Sequence, residues 1–208
     1  NQSGVFNGVK YIFSNPDTKN LIIAHIIFDS AMPAIALYFE SSMHKVGMST
    51  SDITKALFMV PVVYATITFL SGFIADKLGR KVTVTGFSIT CIIGYSLFVA
   101  GILCGWNPYL IGFFAGLYQG SYWIGRDYMN VMMTEKVPTD NRASIVGAEG
   151  LLVIIGLAVG YLLAILAMLV FPIWWVCLAI SVVAVGVAAI MFTLKVKETK
   201  GVNLDEIN

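Results

Sequence analysis

Six runs of about twenty largely apolar residues occupy most of this chain, at 20–39, 56–75, 82–104, 108–134, 143–171 and 173–194. At about 1.5 Å per residue, each is long enough as a helix to cross a hydrocarbon layer roughly 30 Å thick. In lipid a backbone must satisfy its own hydrogen bonds, which such runs do as helices. Composition agrees: 58% hydrophobic and 12% charged residues, against about 25% charged in soluble proteins. The fold class expected is an all-α membrane bundle of six helices over 20–195, preceded by residues 1–19 and followed by a tail at 196–208.

Several function classes drop out at this stage. A net charge of +1 leaves no basic footprint for nucleic acid. Cys91, Cys104 and Cys177 have neither metal-ligand nor disulfide spacing and read as packing residues. Two histidines, His25 and His44, make no metal set and no nucleophile–base arrangement, so neither an enzyme nor a resident cofactor or metal is expected. The N-terminal stretch lacks the pattern of a signal peptide, and a start at Asn1 rather than methionine suggests that it is not the natural one.

An even number of spans puts both termini on one side. Lys10, Lys19, Lys77, Arg80, Lys81, Lys136, Arg142, Lys195, Lys197 and Lys200 fall on that side, against Lys45 and Lys55 opposite. Positive charge marks the cytoplasmic face, so both ends of the fragment are expected there, in a plasma-membrane protein. Ahead of the first span, Val5, Val9, Ile12 and Phe13 recur at helical spacing. Residues 4–14 are therefore either a short interfacial helix or a plain loop.

Ionisable residues inside the spans are costly and normally face a bundle interior or a watery cavity. The first span holds His25 and Asp29, the fourth Arg126 and Asp127, and the fifth Glu149, whereas the third and sixth hold none. Spans 1, 4 and 5 are thus expected to line something polar, with 3 and 6 outside. Asp29 lies roughly 15 Å into its span, with His25 one turn away on the same face. Arg126 and Glu149 lie at similar depths of roughly 10 to 14 Å and are the expected partners. Asp127 points about 100° away from Arg126. For each of these a structural polar contact is the competing explanation. Gln119, Tyr122 and Trp123, beside Arg126, are candidate cavity contacts or interfacial anchors. Gly112, Gly116 and Gly120, and Gly156 with Gly160, have the four-residue spacing that lets helices approach closely. Pro33 and Pro61 fall inside spans 1 and 2, where each removes a backbone bond and favours a kink.

One short stretch breaks the apolar pattern: GFIADKLGRK, residues 72–81, between the second and third spans. It resembles the Gly-x-x-x-Asp-Lys/Arg-x-Gly-Arg-Lys/Arg loop of major facilitator superfamily transporters. Glu135-Lys-Val-Pro138-Thr-Asp-Asn-Arg142 resembles the Glu-x-x-Pro-x-x-x-Arg element at the end of that family's fourth or tenth helix. Lys197-Glu198-Thr199-Lys200-Gly201-Val-Asn-Leu-Asp205-Glu206-Ile is similar to the Pro-Glu-Thr-Lys-Gly tail of its sugar porter branch, with Lys197 in place of proline. The resemblance implies the C-terminal six-helix half of a twelve-helix carrier, facing an N-terminal half of the same chain or a second copy. It also implies a cytoplasmic gate built from Gly72, Asp76, Lys77, Gly79, Arg80, Lys81, Glu135 and Arg142. Span 1, HIIFDSAMPAIALYF, lacks the paired glutamines of the sugar porters. His25, Asp29, Arg126 and Asp127, with Glu149 as the partner of Arg126, suit a proton-coupled carrier or one for a charged metabolite, and the function expected is a secondary transporter of a small solute, proton-coupled and working by alternating access. A transport-inactive receptor or scaffold of the same fold is the alternative.

Overall fold

A computed structural model describes residues 4–201. Asp205, Glu206 and the rest of the tail motif from residue 202 onward lie outside the described residues. Eight α-helices are present among those described: α1 Val5–Ser14, α2 Pro16–Asp29, α3 Phe39–Lys45, α4 Thr50–Leu78, α5 Arg80–Cys104, α6 Pro108–Glu135, α7 Arg142–Met168 and α8 Ile173–Lys195.

Their ends follow from local chemistry. Asn15 caps α2 by accepting the amide of Asp17, Ser49 caps α4 through Asp52, and Asn107 caps α6 through Tyr109. Proline stands at the start of α2 and α6, where its missing N–H is not needed. Gly79 sits at φ +102° between α4 and α5, a conformation that side chains other than glycine rarely adopt.

The first predicted span departs from a single helix. It begins earlier, at Pro16, and α2 stops at Asp29. A π-helical turn over Pro33–Leu37 follows, and then α3. Proline at 33 has no N–H to offer the carbonyl four residues back, which belongs to Asp29. Pro61, by contrast, is carried inside an uninterrupted α4. The fifth run ends at Met168 rather than 171, and residues 5–14 form a helix rather than a loop. Gly8 lets α1 rest on α7, since a Cβ there would strike the Ser144 carbonyl.

Among the described residues, five stretches are long and apolar enough to cross a membrane: Pro16–Leu37, Thr50–Leu78, Arg80–Cys104, Thr139–Met168 and Ile173–Lys195. With 28 residues α6 matches them in length, but it carries Arg126 and Asp127 along with several glycine and hydroxyl residues. The packing order explains where those belong. In the chain's second half α6 lies against α4 and α5, and α2 in the first half lies against α7 and α8. Exchanging α2 with α6, α4 with α7 and α5 with α8 leaves this pattern unchanged, with α5 touching α8 and α2 touching α6 across the exchange. Because successive spans alternate in direction, the two three-helix units have opposite senses, which is an inverted repeat.

Glycine seats both pairs. A Cβ at Gly112 would strike the Ala56 carbonyl of α4, and one at Gly156 or Gly160 the carbonyls of Ile26 or Ser30 on α2. The most exposed helices differ from expectation. Only 11% of the α4 span and 22% of the α7 span are buried, against 44% for both α5 and α8. The third and sixth spans are therefore not the outermost of this unit, because they pack on each other while α4 and α7 each present a broad open face.

Candidate functional site

Asp29 is the last residue of α2 and is 3% exposed. A carboxylate there meets the negative end of the helix dipole, so it needs donors from elsewhere. α6 supplies them. Arg126 donates through Nε to both carboxylate oxygens at 3.0 and 3.1 Å, and the Tyr122 hydroxyl donates to Oδ1 at 3.0 Å. Tyr122 is itself buried and stacks on Phe28, with ring centroids 4.9 Å apart. The guanidinium lies over Trp123, 5.5 Å from the ring centroid, a cation–π contact.

One turn down α2, His25 is fully buried. Its Nδ1 is 3.0 Å from Oε1 of Glu149 on α7, and its Nε2 is 3.8 Å from Oδ1 of Asp29. These contacts correct the expected pairing. Arg126 joins Asp29 rather than Glu149, and Glu149 joins His25, because α7 meets α2 backbone to backbone at Gly156 and Gly160. Asp127 is exposed and takes no part in the Asp29–Arg126 hydrogen bonds. Gln119 makes no hydrogen bond to Asp29, Arg126, His25 or Glu149 among the described residues.

A second cluster closes the basic end of the bundle. Arg80 donates through Nε to Glu135 at 3.3 Å and through Nη1 to Asp76 at 3.5 Å and to the Ala75 carbonyl at 3.2 Å. Arg142 does not join them. Its guanidinium stays local, on the Val137 carbonyl and the Thr139 hydroxyl. The tail completes the cluster instead. The Glu198 carboxylate accepts the amides of Arg80 and Lys81 at 3.0 Å each, across the start of α5. Thr199 donates its hydroxyl to Glu135, and Lys200 reaches the Lys77 carbonyl at 2.7 Å. A Cβ on Gly79 would meet the Glu198 carboxylate, whereas one on Gly72 would meet nothing within 4 Å.

Burial pushes the Glu198 carboxyl up, but the amides of Lys200, Thr199, Lys81 and Arg80 outweigh it and hold the group below the ordinary carboxylate range. Burial pulls the Lys136 ammonium down, against the carboxylates near it. Glu198, Thr199 and Lys200 lay within the tail motif, yet no sequence spacing tied them to the 72–81 loop more than 100 residues away.

The family model of the Major Facilitator Superfamily matches residues 20–206. The chain belongs to that superfamily. No curated protein matches it. Membership accounts for the inverted repeat, and the chain is an all-α membrane protein with the six-helix architecture of half a major facilitator fold. It is thereby a member of a family of membrane transporters, set in a lipid bilayer. Its 72–81 loop, Glu135 and tail form one connected cluster at the basic end, and its buried charges form another between α2, α6 and α7.

Proposed function

We propose that this chain is half of a secondary transporter that carries a small charged solute across the plasma membrane with protons, by alternating access. The buried Asp29–Arg126 pair, joined by Tyr122, carries this reading, because it bridges the two central helices of the inverted repeat. Solute sites in such folds lie between repeats near the midplane. A solute with a carboxylate or similar anion competes for the guanidinium, which gives Asp29 only its Nε. His25 and Glu149 lie beside this site as its proton-coupling groups, Trp123 lies against the guanidinium, and Gln119 and Asp127 face the solute path. Open faces on α4 and α7 support a second six-helix half as partner, either from the same chain or from a second copy.

The basic end is the cytoplasmic gate. Asp76, Lys77, Arg80, Lys81 and Glu135, with the two loop glycines, hold it shut, and Arg142 anchors the adjoining turn. Residues 1–19 end the loop between the halves, and residues 196–208 form the cytoplasmic tail. The test is flux into vesicles holding the full-length protein, with a panel of small organic anions and cations and an imposed pH gradient. Gradient-dependent uptake of one class, lost in Asp29→Asn and Arg126→Ala, is expected. No flux of any class by folded wild type overturns the reading and favours a receptor or scaffold.

A further inference from the structure

Asp29 and Arg126 balance each other in charge. His25 and Glu149 do not balance each other unless a proton is present. His25 is fully buried and Glu149 is 1% exposed. Neither Nε2 of His25 nor Oε2 of Glu149 has a hydrogen-bond partner.

The groups facing this pair come from each helix packed on it. α2 contributes Asp29, and α6 contributes Arg126, Tyr122 and the exposed Asp127, whose field reaches His25. α8 runs along α2 with no Asp, Glu, Lys, Arg or His before Lys195. α1, which packs on α7 and α2, carries Tyr11 and an exposed Lys10, neither of which contacts the pair in any hydrogen bond or ion pair of the described residues. The cluster of Asp29, Arg126, Glu149 and neutral His25 therefore carries one negative charge in excess. A single proton on the imidazole–carboxyl pair cancels it, and an uncancelled charge at this depth is strongly unfavourable.

Geometry favours the same form. The proton can sit on the imidazole or on Glu149, exchanging along the 3.0 Å contact between Nδ1 and Oε1. In both forms Nε2 carries a hydrogen and points it toward Asp29, 3.8 Å away. When the proton leaves, the Nδ1–H bond to Glu149 makes Nε2 a bare lone pair facing the Asp29 carboxylate. Acceptor then opposes acceptor, and two carboxylates repel across one ring. The pair joins α2 to α7, so that repulsion acts on the contact seated by Gly156 and Gly160.

We propose that His25 and Glu149 together bind one proton, that this is the proton moved with the solute, and that Asp29 and Arg126 serve the solute. The proton-binding part stands without the transport reading, whereas the coupling part rests on it.

The first test uses the proton alone as probe. Full-length protein, labelled in its histidine rings and held in lipid nanodiscs, is examined by infrared difference spectroscopy as pH is cycled. Wild type is expected to show a reversible imidazole–carboxyl signal that is lost in both E149Q and H25Q and kept in His44→Gln. A wild-type signal that persists in both variants, or no signal across the range in which circular dichroism shows an intact fold, overturns the inference. Should E149Q not fold, Glu149→Asp keeps the acid and is expected to shift the midpoint, and an unmoved midpoint counts against the pair. In vesicles, with the solute class found above, E149Q is expected to lose gradient-driven accumulation while keeping exchange of preloaded solute. Loss of both in E149Q overturns the division of labour, whereas absence of flux in wild type overturns the transport reading and leaves the infrared result to decide proton binding.

Discussion

The same chemistry, arginine on carboxylate, is built twice in this molecule under opposite conditions. Between α2 and α6 the Asp29 side chain is 4% exposed and its arginine contacts are 3.0 to 3.1 Å. At the basic end Arg80 meets Glu135 at 3.3 Å and Asp76 at 3.5 Å, with Asp76 80% exposed. Burial makes the first pair costly to break without a replacement partner. Exposure makes each bond of the second cheap, so it holds only as a network. A carrier needs both behaviours. The buried pair can part only by exchanging one partner for another, whereas the exposed cluster can open bond by bond.

The sharpest way to break this contrast is Arg126→Ala, which strands Asp29 in the bundle. A loss of about 3–5 kcal/mol in stability is expected, with much of it restored by adding Asp29→Asn. Thermal melting of the purified full-length protein reads both. Gly160→Val attacks the geometry rather than the charges, by driving a side chain into the Ser30 carbonyl. It is expected to cost about 1–3 kcal/mol and to disturb the His25–Glu149 contact while leaving the basic end intact.

Arg80→Ala sharpens the contrast from the other side. A change of about 0.2–1 kcal/mol per lost pair is expected, too small to unfold the protein but enough to raise labelling of single cysteines placed behind the Arg80 cluster. Added salt should mimic that variant and leave the buried pair unaffected, since screening acts on exposed charges.

Glu198 adds a pH dependence of about 0.3–1 kcal/mol, typical of a carboxylate at a helix N-terminus. Its carboxyl is held below the ordinary value, so its contribution is complete above the unfolded value of about 4.3 and fades as pH falls through the lower folded value. Spin labels on the tail and on α4 should therefore separate on acidification. Glu198→Gln should separate them at every pH. The smallest effect belongs to Lys197→Ala. Its contact with Asp17 spans 3.4 Å with the lysine 77% exposed, and no measurable change in melting or labelling is expected.

Much of the architecture was legible from residue types alone. Long apolar runs mark helices because lipid offers no other hydrogen bonds to a backbone, and the 72–81 loop, Glu135 and the tail carried the family pattern over most of the chain. The in-span residues Asp29, His25, Arg126 and Glu149 stood out because ionisable groups are rare in such runs. Hydropathy is a property of one segment at a time, however, and a partner is a property of two.

Tertiary structure decided what those residues do to one another. Depth along a helix put Arg126 level with Glu149, but which neighbour a side chain meets depends on the rotation and approach of whole helices. Gly156 and Gly160 set that approach for α7 on α2, which brings Glu149 to His25 and leaves Arg126 to Asp29. The fold likewise turned Arg142 away from the Arg80–Glu135 cluster and brought Glu198 into it, across a separation in sequence that no local pattern spans. Residue types and their spacing determined that this chain is a charged-centre membrane bundle, whereas helix packing chose the partners, because an ion pair is specified by distance in space and a sequence records distance only along the chain.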